Sequence, residues 1–156
     1  MGRRLMQAAI VVLVLFAAAQ LLRPSHTNPP IDARRTFEAH MGTADGLAAV
    51  LDRSCGDCHS NRTVWSAWYG RVAPLSWAMS YAVTKGRKVL NFSEWGTYPP
   101  EVQRQMLVLS CRAASGGKMP GAYTMFRPEA RLSAADLDKI CSAARYAEAS
   151  QKGGTP

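Results

Sequence analysis

The chain has 156 residues, and its 19 basic and 11 acidic side chains give a formal net charge of +8 at pH 7. Without the first 23 residues, 133 residues with 16 basic and 11 acidic side chains remain, which is enough for one compact domain with a modest core. The sequence contains no nucleic-acid-binding motif and begins with an export segment, so nucleic-acid binding is excluded.

The N-terminal 23 residues have the composition of an export signal or a membrane anchor. An uncharged run from Leu5 to Leu22, rich in Ala, Val and Leu, follows Arg3 and Arg4. Its length is near the lower limit of about 17 residues for a membrane-spanning helix, and the small residues at 17–19 would suit signal cleavage. The two arginines favour a cytoplasmic N-terminus. We therefore expect residues 1–23 to be a signal anchor or signal peptide at a bacterial inner membrane, with the remaining chain in the periplasm.

Residues 24–44 are expected to be a linker, because Pro24 and the Asn-Pro-Pro sequence at 28–30 cannot continue a helix. A cleaved protein would not need such a spacer between membrane and domain, so we expect the apolar segment to be retained as an anchor. Cleavage after Ala19, which would leave a soluble periplasmic protein, is the alternative. Residues 45–150 should form the folded domain, and residues 151–156 a disordered tail.

Two cysteines and a histidine lie within five residues, in the sequence Cys55-Gly56-Asp57-Cys58-His59. This is the pattern to which a c-type haem is attached. Apolar residues at helical spacing lead into the motif, and positions i, i+3 and i+4 of a helix share one face. Both sulfurs and the imidazole should therefore point into the same space. We predict one covalent haem c, with thioether bonds to Cys55 and Cys58 and with His59 as the proximal iron ligand.

A redox-active dithiol and half of a zinc site are the alternatives for this cysteine pair. A redox dithiol usually lies at a helix start after a strand, and no strand-rich segment precedes Cys55. A zinc site would need a second close pair of ligands, whereas Cys111 and Cys141 are thirty residues apart. Haem attachment is the favoured interpretation.

The rest of the chain predicts helices and no strand of any length. One helix is expected from Ser76 to Lys85, ended by Gly86, and another from Pro99-Pro100 to about Ala114. The sequence Ser133-Ala134-Ala135-Asp136 resembles a capping box that opens a final helix. Eight of the thirteen aromatic residues fall between positions 65 and 98, where they could wall a porphyrin or simply pack in the core. The predicted fold class is all-α.

Cys111 and Cys141 fall on two of these predicted helices, at positions that should face the core. In an oxidising compartment such a pair favours a disulfide, although two buried free thiols are also common. A disulfide would close a loop of about 30 residues and stabilise the fold by roughly 3 kcal/mol.

The chain contains a set of short motifs that are specific when taken together. They are Cys-Gly-Asp-Cys-His-Ser-Asn-Arg-Thr at 55–63, Trp-Tyr at 68–69, Ala-Pro-Leu-Ser-Trp at 73–77, Gly-Arg-Lys at 86–88, Leu-Asn-Phe-Ser-Glu-Trp at 90–95, Met-Pro at 119–120 and Tyr123. Together they resemble the bacterial haem-binding domain family related to cytochrome c, over roughly residues 23–148. The resemblance implies a cytochrome c-like helical domain behind a single N-terminal hydrophobic segment. Many members have a histidine where this chain has Ala82, so the resemblance does not carry a second histidine ligand over to this position, and Met119 is the better candidate. The other imidazoles, His26 and His40, precede the domain core and should be solvated.

Met119 is the predicted distal iron ligand. The flexible Ser-Gly-Gly-Lys sequence at 115–118 precedes it and Pro120 stiffens the chain beyond it, so its sulfur could be presented across the porphyrin from the proximal histidine. Met125 is the reserve candidate.

With a thioether on the iron, the protein would be a single-electron carrier and not an enzyme. The alternative is an open distal site, as in a haem-based gas or redox sensor or a peroxidase-like enzyme, although no suitable distal side chain can be assigned from the sequence. A third alternative is a structural tether that only retains haem. The partner would be an unidentified redox protein, which the basic cluster Lys85, Arg87 and Lys88 could steer; the cluster could instead pair with haem propionates or be a solvated helix end.

Overall fold

The computed structural model describes residues 2–42 and 45–152, so residues 43–44 of the expected linker and 153–156 of the expected tail lie outside the described residues. Six α-helices are present there: α1 (Gly2–Ala19), α2 (Phe37–Met41), α3 (Leu47–His59), α4 (Leu75–Val89), α5 (Pro100–Ser115) and α6 (Ala134–Lys152). Short 3-10 helices lie between them at Ala33–Arg35, Trp68–Gly70, Phe92–Thr97, Gly121–Met125 and Pro128–Ala130. Neither described range contains a strand. The prediction of an all-α fold behind one apolar N-terminal helix is confirmed.

Among the described residues, α1 is the one helix that is long and apolar enough to cross a membrane, with a mean hydropathy of 1.6 over its 18 residues. None of its residues is buried against the rest of the chain. A membrane anchor and a signal sequence share these properties, and α1 is compatible with both.

The core forms where α3, α5 and α6 meet the aromatic turn that follows α4. Its buried side chains include Leu51 of α3, Leu107 of α5 and Ile140 of α6, together with Phe92 and Trp95 of the turn. Trp95 is 1% exposed. Burying one such side chain stabilises a fold by about 1.5–3 kcal/mol. The core therefore fixes α3 against the other helices along its apolar face.

A disulfide and an ion pair connect α6 to its neighbouring helices, and a capping box begins it. A disulfide joins Cys111 of α5 to Cys141 of α6, with 4.9 Å between the Cα atoms. At the start of α6, the Ser133 hydroxyl accepts a hydrogen bond from the Asp136 amide at 3.2 Å, and the Asp136 carboxylate accepts one from the Ser133 amide at 2.9 Å. This reciprocal pair is the predicted capping box. Arg53 of α3 adds an ion pair to Asp136 at 2.8 Å, which ties α6 to α3.

Part of the expected linker at 24–44 is folded into the domain. Phe37 begins α2 behind a Thr36 cap, is 2% exposed and packs edge-on against Trp95, with 4.8 Å between the ring centroids. Further upstream, the Asn28 side chain accepts a hydrogen bond from Arg87 at 2.7 Å. A single apolar side chain in a polar stretch creates no periodic pattern, so the sequence could not reveal this packing.

Candidate functional site

One apolar cavity lies between the end of α3, the middle of α5 and the segment that follows α5. Cys55, Cys58, His59 and Met119 all line it, so the structure brings the four predicted haem-binding residues to one place. Most of the remaining wall is apolar and comes from α3, α4 and α5, and the empty space, with its open mouth, is about 900 Å³. Cys55 and Cys58 form no disulfide. Both thiols are therefore available to a group placed in the cavity.

α4 crosses the end of α3 so closely that only glycine fits at position 86. A Cβ atom on Gly86 would collide with the carbonyl group of Cys58. The prediction that Gly86 ends the helix is wrong, since α4 continues to Val89. The glycine instead permits the helix contact that carries Leu90 to the ring of His59.

The His59 ring is oriented by a main-chain hydrogen bond. Its Nδ1 atom lies 3.0 Å from the carbonyl oxygen of Leu90. A carbonyl can only accept, so Nδ1 carries the proton and Nε2 keeps a free lone pair. A carbonyl partner of this kind orients metal-binding histidines in general. Burial lowers the pKa of His59 below its ordinary value, which favours the neutral, ligating imidazole.

The two thiols lie in the last turns of α3, and their surroundings keep them protonated. Burial raises the pKa of Cys55 to about 12 and that of Cys58 to about 11. The C-terminal end of a helix carries partial negative charge, which also disfavours a thiolate. Reactive dithiols instead lie at helix N-termini, where the thiolate is stabilised. This placement argues against the redox-dithiol alternative.

Asp57, between the two cysteines, links α3 to the segment that carries Met119. One carboxylate oxygen accepts a hydrogen bond from the Val64 amide at 2.8 Å. The other oxygen accepts hydrogen bonds from the Tyr123 hydroxyl and from Arg127 Nη1, the latter at 2.9 Å. The Asp57 and Arg127 side chains are only 11% and 23% exposed. Burial raises the pKa of Tyr123 well above its usual range, and the bond to Asp57 adds to this effect, so the phenol stays a donor.

No pattern in the sequence predicts these contacts of Asp57, Val64, Tyr123 and Arg127, which we call the Asp57 network. Its members lie as far as 70 positions apart in the chain. Asp57 fills a position of the Cys-x-x-Cys-His pattern whose identity the pattern leaves open. Predicting the network from the sequence would require knowing that the segment after α5 returns to α3.

Met119 lines the cavity with its side chain 49% exposed, next to Pro120 and Tyr123, which also line it. Met125, the reserve candidate, is 78% exposed and is not part of the cavity wall. Of the aromatic residues between 65 and 98, Phe92 alone lines the cavity among the described residues, so the others do not wall it.

The other residues considered from the sequence, which include His26, His40 and Ala82, are not part of the cavity wall. The His26 ring stacks on Trp65 at 4.7 Å between centroids, and His40 Nε2 lies 3.1 Å from the carbonyl oxygen of Arg34. Ala82 is exposed on the outer side of α4 and supplies nothing to the cavity wall. Arg87 of the basic cluster is used within the domain, where it donates a hydrogen bond to the Ser60 carbonyl at 2.8 Å.

The donor set in the cavity suits haem. Two thiols one helical turn apart, a neutral imidazole beside them and an apolar wall match the needs of a porphyrin with an axial histidine. The fold and the site thus define a helical haem-binding protein. The haem-binding domain family matches residues 14–145, which is most of the chain, and the chain belongs to this family. Among curated proteins and among solved structures, no match to the chain was found.

Proposed function

We propose that the protein is a c-type cytochrome that carries single electrons on the periplasmic side of the inner membrane. The observation that supports this most is the convergence of Cys55, Cys58, His59 and Met119 on one apolar cavity. One-electron exchange at the iron is the chemistry that the cofactor supplies when bound.

Each cysteine would form one covalent bond to the porphyrin. The Cys55 and Cys58 thiols would each add across a vinyl group of the porphyrin, so that a sulfur–carbon bond forms and the thiol hydrogen moves to the neighbouring carbon. No oxidant is consumed and nothing leaves. Two such bonds from one helical turn would fix a single haem c against α3.

Two side chains would hold the haem iron. His59 Nε2 is the proximal ligand in this proposal, and the Leu90 carbonyl holds its ring in the ligating tautomer. Met119 is the proposed distal ligand. A thioether raises the reduction potential of haem iron relative to a second imidazole and leaves no position for a small molecule.

The composition of the cavity wall favours a carrier over an enzyme. Among the described residues that line it there is no arginine, lysine or glutamate and no histidine besides His59. The Asp57 carboxylate already accepts hydrogen bonds from the Val64 amide, the Tyr123 hydroxyl and the Arg127 side chain. A peroxidase needs a polar distal group to cleave the peroxide bond, and Asp57, the one acidic side chain of the described wall, is not free to act as one.

The half-exposed side chain of Met119 supports a second candidate, a sensor or peroxidase-like enzyme with an open distal site. Carbon monoxide distinguishes the two candidates. We expect the reduced spectrum of the haem-loaded full-length protein to stay unchanged on addition of carbon monoxide, because Met119 would already hold the iron. A rapid, complete shift of the main absorption band would show an open site and would overturn the carrier assignment.

α1 is assigned as a retained anchor. Arg3 and Arg4 at its start would remain in the cytoplasm, and the domain would lie in the periplasm, where haem attachment and the Cys111–Cys141 disulfide are both favoured. The redox partner would be another protein that meets the domain there.

A further inference from the structure

A group of exposed apolar side chains lies where α1 meets the domain. Leu21 and Leu22 follow α1 and are 84% and 69% exposed, and Val72, Trp77 and Tyr81 of the domain are 36%, 39% and 66% exposed. Trp77 and Tyr81 are one turn apart on α4 and so share its outer side. We call these five residues the anchor-side face.

Three hydrogen bonds attach the end of α1 to the domain at this face. The Gln20 carboxamide accepts one from the Ala73 amide at 3.0 Å and donates one to the Ala73 carbonyl at 3.4 Å. The Trp77 indole donates the third to the carbonyl oxygen of Leu22 at 2.6 Å. Trp77 is therefore held at the level where the chain leaves the apolar helix.

The length of α1 determines how deep Trp77 would lie in a bilayer. Its 18 residues span about 27 Å at 1.5 Å per residue, which is slightly less than the roughly 30 Å of hydrocarbon in a typical bilayer. A short span draws its flanking residues toward the interface. Tryptophan and tyrosine are the side chains favoured at that depth, because one end of each ring is apolar and the other is polar.

The charged side chains around the face in the sequence are basic. Residues 59–93 contain five basic and no acidic side chains. Arg62 is paired with Glu38 and Arg87 is bonded within the domain. Arg71, Lys85 and Lys88 are exposed. Lys85 follows Tyr81 on α4, with its ammonium 5.6 Å from the centre of the Tyr81 ring. An anionic leaflet attracts exposed basic side chains of this kind.

We propose that the anchor-side face is a membrane-docking surface that rests in the headgroup region of the bilayer crossed by α1, with anionic lipid as its preferred contact. The inference rests on the proposed retention of α1 as an anchor. A docked domain has one orientation at the membrane, which restricts the directions from which a membrane-bound redox partner can reach the haem cavity.

Spin-labelled lipid tests this directly. The haem-loaded full-length protein, isotope-labelled at its tryptophan indoles and tyrosine rings, is placed in lipid nanodiscs with and without a lipid that carries a nitroxide near the headgroup. Trp77→Phe and Tyr81→Phe assign the two signals of interest. Trp95, which is 1% exposed, and Tyr146 of α6, which is 77% exposed, are the buried and exposed controls.

We expect the Trp77 and Tyr81 signals to weaken at least roughly twofold more than those of Trp95 and Tyr146, and to weaken further when anionic lipid is added. Equal weakening of all four signals would overturn the docking proposal while leaving the anchor and the haem assignments intact. If the mature protein instead starts at Gln20, the anchor fails and the docking proposal fails with it, whereas the cavity assignments stand.

Discussion

Asp57 holds the segment of Met119 against the helix of the two cysteines. In Asp57→Asn, the amide oxygen can still accept from the Val64 amide, but the amide nitrogen cannot accept from Tyr123 or Arg127. Hydrogen bonds to charged groups contribute about 1.5–3 kcal/mol each. We therefore expect the free energy of unfolding, measured in urea, to fall by about 3 kcal/mol, the lower end for the two bonds lost.

Asp52 on the same helix is the control for this substitution. Its side chain is 50% exposed and lies 3.6 Å from Arg62, and exposed pairs of this kind contribute at most about 1 kcal/mol. Asp57→Asn should also weaken the methionine–iron absorption band, which Asp52→Asn should leave unchanged. Equal losses of stability and an unchanged band in both variants would show that Asp57 does not position the segment.

Met119 and Met125 form a matched pair for the distal ligand, since Met119 lines the cavity and Met125 is exposed outside it. Met119→Ala should abolish the weak charge-transfer band at the red edge of the ferric spectrum and lower the reduction potential markedly, because the thioether ligand is lost. Met125→Ala should change neither. A ferric spectrum and potential that survive Met119→Ala would refute the assignment.

At the scale of single residues, the sequence predicts site residues that belong to a local pattern and misses those whose role depends on distant partners. The two cysteines and the histidine are recognisable within five positions, and a methionine between glycines and a proline is a reasonable ligand candidate. The Leu90 carbonyl and the Asp57 network could not be predicted. Both depend on how α4 and the segment after α5 return to α3.

The disulfide between α5 and α6 is the element-scale feature with the clearest energetic consequence. Replacing both cysteines, as Cys111→Ser with Cys141→Ser, should lower the free energy of unfolding by about 3 kcal/mol, because a loop of 30 residues is then no longer closed in the unfolded chain. Urea unfolding with and without a reducing agent measures this. The wild type should lose a similar amount on reduction, and the double variant should not respond. Equal stability of the oxidised wild type and the double variant would contradict the prediction.

Helices with a capping box or a periodic apolar face are predictable at the element scale. α3, α5 and α6 occur where the spacing and the Ser133–Asp136 box place them. α4 extends past Gly86 because that residue serves a helix contact that leaves no local signal. α2 cannot be predicted, because the one residue that it buries, Phe37, creates no periodic pattern.

On the scale of the whole molecule, the exposed apolar helix α1 is compatible with both a membrane anchor and a signal sequence. We expect purified protein from membranes to have the intact mass of a chain that still includes residues 1–23, because α1 is long enough to span a bilayer and its end is bonded to the domain. Intact-protein mass spectrometry of the membrane and soluble fractions distinguishes the retained chain from the cleaved one. A mature chain that starts at Gln20 in the soluble fraction would contradict the anchor.

Covalent attachment of haem to Cys55 and Cys58 is the central claim, and a pyridine haemochrome assay after denaturation and acid–acetone extraction tests it most directly. The protein is produced in a host with haem-attachment machinery, alongside the variant with Cys55→Ser and Cys58→Ser and the control variant with Cys111→Ser and Cys141→Ser. We predict that the haem of the wild type and of the control stays with the polypeptide and gives the spectrum of a porphyrin with two thioethers, and that the first variant retains none. Complete extraction of haem from the wild type would contradict the claim.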